Sequence, residues 1–233
     1  FLSEEISKNG FKVSISGSGA DEILTGYYDH YLLHLATIKE TKYFKENLKA
    51  WEKFILPIIR NPHLKNSKIY IENPEDRSLI YEENFNIKKY SIENLDLKFE
   101  EKKYSNELLR NRMLNELFHE VIPVILKHDD LNSMFFSVEN RSPFLDKELV
   151  EFSLKIPPEY LISNGFQKNI LRNSVKGILP DEIRLNRQKK GFNASIKSVL
   201  DLDDPEINKY IFDENSKINE YVDLKKFKSN FNF

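Results

Sequence analysis

Near its start the chain alternates apolar and polar residues. Phe11, Val13 and Ile15 interleave with Lys12 and Ser14, a two-residue period that predicts a short β-strand. Ser16-Gly17-Ser18-Gly19 follows, and Asp21 and Glu22 then open a helical pattern with Ile23, Leu24, Tyr27, Tyr28, Tyr31 and Leu32 on one side. Acidic residues in a first turn suit the positive end of the helix dipole. Strand, tight loop and helix, in that order, present backbone N–H groups to a ligand. A second amphipathic helix runs through Phe44, Leu48, Trp51, Ile55 and Ile58, with Asn61-Pro62 as its stop.

The segment 66–103 is polar and rich in Asn, Glu and Lys, and its poor periodicity predicts an irregular insertion. Helical spacing returns at Leu109, Met113, Leu117 and Val121 and runs towards Ile125, with Pro123 near its end. His128-Asp129-Asp130 breaks the pattern. Arg141-Ser142-Pro143 predicts an extended turn, because a residue before proline avoids the helical region. Asp146 then caps a helix that reaches Leu154 and stops at Pro157-Pro158. Ile170, Leu171, Val175 and Ile178 predict another helix, closed by Gly177 and Pro180, and Asp181 to Arg187 a turn or two more. No internal repeat is visible. The pattern as a whole predicts an α/β chain that is predominantly helical, with a remnant of sheet near the N-terminus. It divides into one partial domain over 1–198 and a helical or polar extension over 199–233.

Composition narrows the function. The chain has 233 residues, 40% apolar and 31% charged, as expected of a globular protein with a core. A formal net charge of -2 supplies no global basic field, so neither nucleic acid nor a membrane is an expected partner. With no cysteine, disulfides, thiolate metal sites and a cysteine nucleophile within this chain are excluded, and a cytoplasmic location is the expectation. No apolar run is long enough for a bilayer. The chain begins with Phe1 and enters a patterned segment almost at once, so residues are expected upstream of it.

Glycine is scarce, seven in all, yet Gly17, Gly19 and Gly26 crowd into the first strand–loop–helix unit. A phosphate or carboxylate cradle needs positive φ and close backbone approach, which glycine gives. Asp21 stands where it could take magnesium, a cation that prefers carboxylate and phosphate oxygens. On spacing alone a plain strand-to-helix connection, with Asp21 as the helix cap, is the default reading of these residues. The basic run from Arg184 to Lys190 reads, on composition, as a solvated helix end with Gly191 as C-cap, or as a weak nucleic-acid patch. His30 and His34 have i, i+4 spacing, which can bind a metal, with packing as the default. His63, His119 and His128 stand alone.

Ser16-Gly17-Ser18-Gly19-Ala20-Asp21-Glu22-Ile23-Leu24-Thr25-Gly26-Tyr27 resembles the S-G-E/D-G-A/S-D-E-x-F/L-G-G-Y signature of the asparagine synthetase family. Three later stretches resemble the same family in the same order. Asp130 to Met134 is similar to its D-R-x-S-M, with Leu131 in place of Arg, and Glu139 to Asp146 to its E-x-R-x-P-F-L-D. Arg184 to Phe192, after Leu179-Pro180, is similar to its R-x-K-x-x-F.

The resemblance implies the C-terminal part of an adenine-nucleotide alpha-hydrolase-like (PP-loop) synthetase domain. It implies ATP against Ser16, Gly17 and Gly19, magnesium on Asp21, and phosphate contacts from Lys189 and Arg187. Ser18 stands where the family carries a glutamate needed for acyl-adenylate formation. The implied reaction is adenylation of a carboxylate followed by attack of ammonia or an amine, aspartate and glutamine being the leading substrates. Ser18 and Leu131 keep open a related amidotransferase or peptide-cyclising ligase with another carboxylate, and an inactive relative that serves as a binding module. A glutaminase domain and an S-G-G-x-D-S pyrophosphate loop are the implied partners, with a homodimer allowed. Glu139, Arg141 and Asp146 are expected to form a charged network behind the site.

Overall fold

The apolar–polar alternation at the start becomes strand β1, Val13–Ile15. It pairs in parallel with β2, Glu139–Arg141, with Val13 opposite Glu139, Ser14 opposite Asn140 and Ile15 opposite Arg141. The computed structural model describes residues 1–74, 89–92, 101–188, 201 and 203–230. Among these the two strands make the one sheet, and helices joined by turns and irregular segments make the rest. The predicted helical predominance and sheet remnant both hold.

Two compact units divide the chain. One comprises Phe1–Asp76 with Glu101–Lys189, the other Arg77–Glu100 with Lys190–Phe233.

In the first unit, α1 spans Leu2–Lys8, α2 Ala20–Leu24 and α3 Tyr28–Thr37. The single helix expected from Asp21 through Leu32 is thus two helices. Thr25, at φ +69, turns the chain between them, and a β-branched residue there is costly to hold outside a tightly packed setting. Its hydroxyl donates to Leu161 O at 3.4 Å.

Helix α3 is the centre of the unit. Tyr31, Leu32, Leu33 and Leu35 are fully buried, and Asp29, His30 and His34 are buried with them, so no face of the helix is left to solvent. A helix buried all round must be surrounded by other elements. Those are α4 (Phe44–Phe54), α5 (Ser67–Glu72) and α6 (Leu108–Asn115). Helix α4 ends before the expected stop at Asn61, because Pro57 converts Leu56–Ile58 to a 3₁₀ turn. Trp51 on α4 is its buried anchor.

The next expectation also needs correction. After α6 a π-helical turn covers Glu116–Glu120, and α7 then runs Ile122–Phe135. Pro123 starts that helix instead of ending one, since a proline in a first turn has no N–H to lose. His128-Asp129-Asp130 lies inside α7 and breaks nothing. Asp146 does cap the following helix, α8 (Lys147–Ser153), accepting from Glu148 N and Leu149 N. Helices α9 (Pro158–Leu161), α10 (Asn169–Ser174) and α11 (Asp181–Arg184) complete the unit.

The second unit contains α12 (Pro205–Ile211) and α13 (Leu224–Asn230), with Tyr90 edge-on to Phe227 at 5.4 Å and Ser91 bridged to Val222. Among the described residues no helix is long and apolar enough to cross a membrane.

Candidate functional site

Parallel strands put the chain's next residues side by side at their carboxyl ends, where open α/β sheets bind ligands. Here those residues are Ser16 and Ser142. Ser16 N donates to Arg141 O at 2.8 Å, extending the ladder, and the two serine hydroxyls lie 3.0 Å apart. Ser16 Oγ also donates to Ser18 Oγ at 3.2 Å. Ser18 Oγ donates to Asp129 Oδ2 at 3.4 Å, and Asn140 Nδ2 donates to the same carboxylate oxygen at 3.3 Å. Ser14 Oγ reaches Asn140 Oδ1 at 3.1 Å. A half-buried polar network therefore joins the glycine loop to β2 and to α7. Asp129 and Ser142 were not singled out by sequence reasoning. Only the strand pairing reveals them, since both lie more than a hundred residues from the loop.

The two glycines of the loop differ. Gly19 is at φ +96, where the backbone favours glycine, and a Cβ there would stand 2.4 Å from Leu145 Cδ2 and push that side chain aside. Gly17 is exposed, and a Cβ there would meet nothing within 4 Å. Neither its conformation nor its neighbours in this chain demand glycine.

Asp21 sits in the first turn of α2, where the dipole favours its charge. Its carboxylate is packed against Gly26, where a Cβ would fall 1.6 Å from Oδ1. Lys168 forms an ion pair with Asp21. The lysine arrives through a turn whose bridge joins Ser163 to Phe166, with Asn164 at φ +52 and Gly165 at φ +73. Lys168 itself has φ +53, its N–H donates to Thr25 Oγ1 at 3.3 Å, and Gln167 Nε2 donates to Tyr27 O. This segment is thus stitched to the break between α2 and α3. Asn-Gly is a strong turn signal, and reading it could have drawn attention to Lys168.

The other expected residues are placed as follows. The Arg187 guanidinium lies between two rings, 4.0 Å from the centre of Phe54 and 3.7 Å from that of Phe166. Burial lowers its pKa from the ordinary value. Lys189 lies outside the described residues. Glu139 and Arg141 pair with each other at 2.9 Å on the exposed surface, while Asp146 serves its helix cap, so the three do not form the expected network.

His30 and His34 do not converge. His30 Nε2 is 2.6 Å from Glu116 Oε2, and Asp29 completes a buried trio close enough to share an ion. Arg112 already stands among them, its Nε 3.4 Å from Asp29 Oδ2 and 3.0 Å from Glu116 Oε1, with Nη1 bridging to Glu101 and Glu120. Burial opposes charge on His30, but the Glu116 carboxylate outweighs it and raises the imidazole above its usual range. Burial also raises the Glu116 carboxyl.

Fold and site together define a mostly helical α/β protein with a serine–glycine polar site at the carboxyl ends of its parallel strands. The chain belongs to the Asparagine synthase family, whose model matches residues 1–232. Glutamine-hydrolyzing asparagine synthetase 1 of Bacillus subtilis (strain 168) is 29% identical over 224 residues, covering 86% of this chain and 33% of the relative. Glutamine-hydrolyzing asparagine synthetase 3 of the same organism is 27% identical over 79% of this chain and 27% of its own length. A probable glutamine-hydrolyzing asparagine synthetase of Acanthamoeba polyphaga mimivirus is 26% identical over 96% of this chain and 40% of its own. The chain therefore spans 27 to 40% of the length of these relatives. No solved structure matches it.

Proposed function

We propose that this chain is the C-terminal part of a PP-loop synthetase domain within a larger enzyme, one that forms an amide bond by adenylating a carboxylate with ATP. The observation that carries the reading is the Ser16–Ser142 contact of 3.0 Å at the carboxyl ends of paired parallel strands, beside a glycine whose open face no described residue uses. Ser16, Gly17 and Gly19 line the nucleotide, and the exposed Gly17 admits close approach of a phosphate or ribose. Asp21 is the carboxylate that would hold magnesium, which supplies neutralisation of phosphate charge when bound. Asp21 is paired with Lys168, so magnesium would have to displace that ammonium from the carboxylate. Lys168 brings an ammonium suited to phosphate, and Lys189 and Arg187 are the further cations that would oppose charge on departing pyrophosphate.

Aspartate as acyl substrate and glutamine as nitrogen donor are favoured by the names of the relatives. A glutaminase domain and a pyrophosphate loop are then the partners of this segment. Ser18 favours one alternative, a different carboxylate substrate, because it places a neutral hydroxyl, its proton donated to Asp129, where the family signature has an acid.

Pyrophosphate release by the complete protein tests both. With ATP, magnesium and aspartate, release is expected, and Asp21→Asn should lower it by at least about a hundredfold. Release with other carboxylates but not aspartate would select the alternative. No release with any carboxylate would sink the enzymatic reading and leave a binding module.

A further inference from the structure

The polar network beside the glycine loop has a direction. Ser14 and Asn140 are opposed in the register of the two strands, and Ser16 and Ser142 lie two positions further on, along the same face. Asp129 reaches that face from α7. A carboxylate oxygen accepts hydrogen bonds, whereas each serine has a single proton to give. Asp129 Oδ2 accepts from Ser18 Oγ at 3.4 Å and from Asn140 Nδ2 at 3.3 Å, so that oxygen carries no proton. Ser18 has committed its proton there and therefore receives the one from Ser16, 3.2 Å away. Ser16 has none left for Ser142, so in the 3.0 Å contact between them Ser142 is the donor. Three hydroxyls thus hand on from Ser142 through Ser16 and Ser18 to one carboxylate.

That carboxylate is suited to act as a base. Among the described residues Asp129 enters no ion pair, whereas Asp21, the other carboxylate at the loop, is held by Lys168. Its two donors are a neutral hydroxyl and a neutral amide. The amide is itself fixed, because Ser14 Oγ donates to Asn140 Oδ1 at 3.1 Å and so turns Nδ2 towards Asp129. The longest link, from Ser18 to Asp129, is of the kind that tightens when a substrate binds.

We propose that Ser142, Ser16, Ser18 and Asp129 form a proton relay that takes up the proton released when nitrogen is acylated. The inference rests on the amide-forming reading and deepens it. Ammonia attacks the acyl carbon of the adenylate, a C–N bond forms, the C–O bond to phosphate breaks, and its electron pair leaves with AMP. The nitrogen loses one proton to Ser142 Oγ. Ser142 passes its own to Ser16, Ser16 to Ser18 and Ser18 to Asp129, which later returns the proton to water. Pyrophosphate departs before this step, so the relay serves nitrogen transfer and not adenylation.

Two half-reactions of the complete protein test it. With ATP, magnesium and aspartate, or whichever carboxylate supports pyrophosphate release, exchange of labelled pyrophosphate into ATP reports adenylation. Amide formation from ammonium chloride reports nitrogen transfer. Asp129→Asn should lower amide formation about a hundredfold and leave exchange within about twofold of the wild type. Ser18→Ala, which cuts the chain of hydroxyls, should show the same split and remove the solvent deuterium isotope effect on amide formation. Retained exchange shows that each variant is folded. Amide formation untouched in both variants, an equal fall of exchange and amide formation in both, or a wild type that exchanges pyrophosphate but forms no amide from ammonia would each overturn the relay and leave adenylation standing. A wild type that exchanges no pyrophosphate with any carboxylate would sink the amide-forming reading, and the relay with it.

Discussion

At the scale of single residues, Gly17 and Gly26 separate two reasons for glycine. Gly26 lies under the Asp21 carboxylate, and Gly26→Ala would force a Cβ to within 1.6 Å of Oδ1. Overpacking of that kind costs about 1–3 kcal/mol, so the alanine variant should show a lower urea midpoint. Gly17→Ala meets nothing and should leave stability within about 0.5 kcal/mol of the wild type. In the complete protein, however, it should depress ATP-dependent pyrophosphate release. A Gly17→Ala protein with unchanged turnover would show that nothing approaches that face.

At the scale of elements, α3 meets α6 and its π-helical extension through buried charge. Glu116 begins the π turn, so its carboxylate belongs to the irregular segment that reaches both His30 and Arg112. Such a network stabilises only while all of it is paired, because an orphaned buried charge is costly. It also ties stability to pH. His30 binds its proton more tightly in the folded chain than at the unfolded value of 6.5, since Glu116 outweighs burial. Its contribution is therefore full below pH 6.5 and is lost as pH rises through the higher folded-state value. Glu116, raised from 4.5 by burial, acts in the same direction. The wild type should lose stability as pH rises above the unfolded value of 6.5, and His30→Gln should lose distinctly less. Parallel urea midpoints for the two proteins across that range would contradict the assignment.

For the molecule as a whole, the sheet stands out. Parallel strands are normally buried on both faces, yet Val13 is 41% and Ile15 76% exposed, and Phe11 beside them is 63% exposed. Phe135, at the end of the helix that packs on β2, is 81% exposed. Apolar surface on so short a parallel pair is an association surface. The chain alone should therefore self-associate with rising concentration in sedimentation, and Ile15→Lys should reduce that association. A wild-type chain that stays monomeric throughout would refute this.

Local pattern was enough for the strand at Val13–Ile15, the cap at Asp146 and the Ser-Gly loop, because period, capping chemistry and glycine content are written in neighbouring residues. The ordered blocks also pointed to the family that the matching model over residues 1–232 establishes. Other features depended on residues far apart. Gly26 is a stop signal that the apolar periodicity running on through Tyr27 to Leu32 masks, so the break at Thr25 goes unread in the local pattern. Pro123 suits a first turn as well as a last one, and only packing against the rest of the unit selects between them. Ser142 and Asp129 join Ser16 and Ser18 because a parallel register brings Arg141 beside Ile15. Lys168 meets Asp21 because an Asn-Gly turn folds back on the chain. Sequence determined which chemistry was available near the loop. Tertiary structure decided which distant side chains complete it, since burial and strand register act between segments whose separation no local pattern encodes.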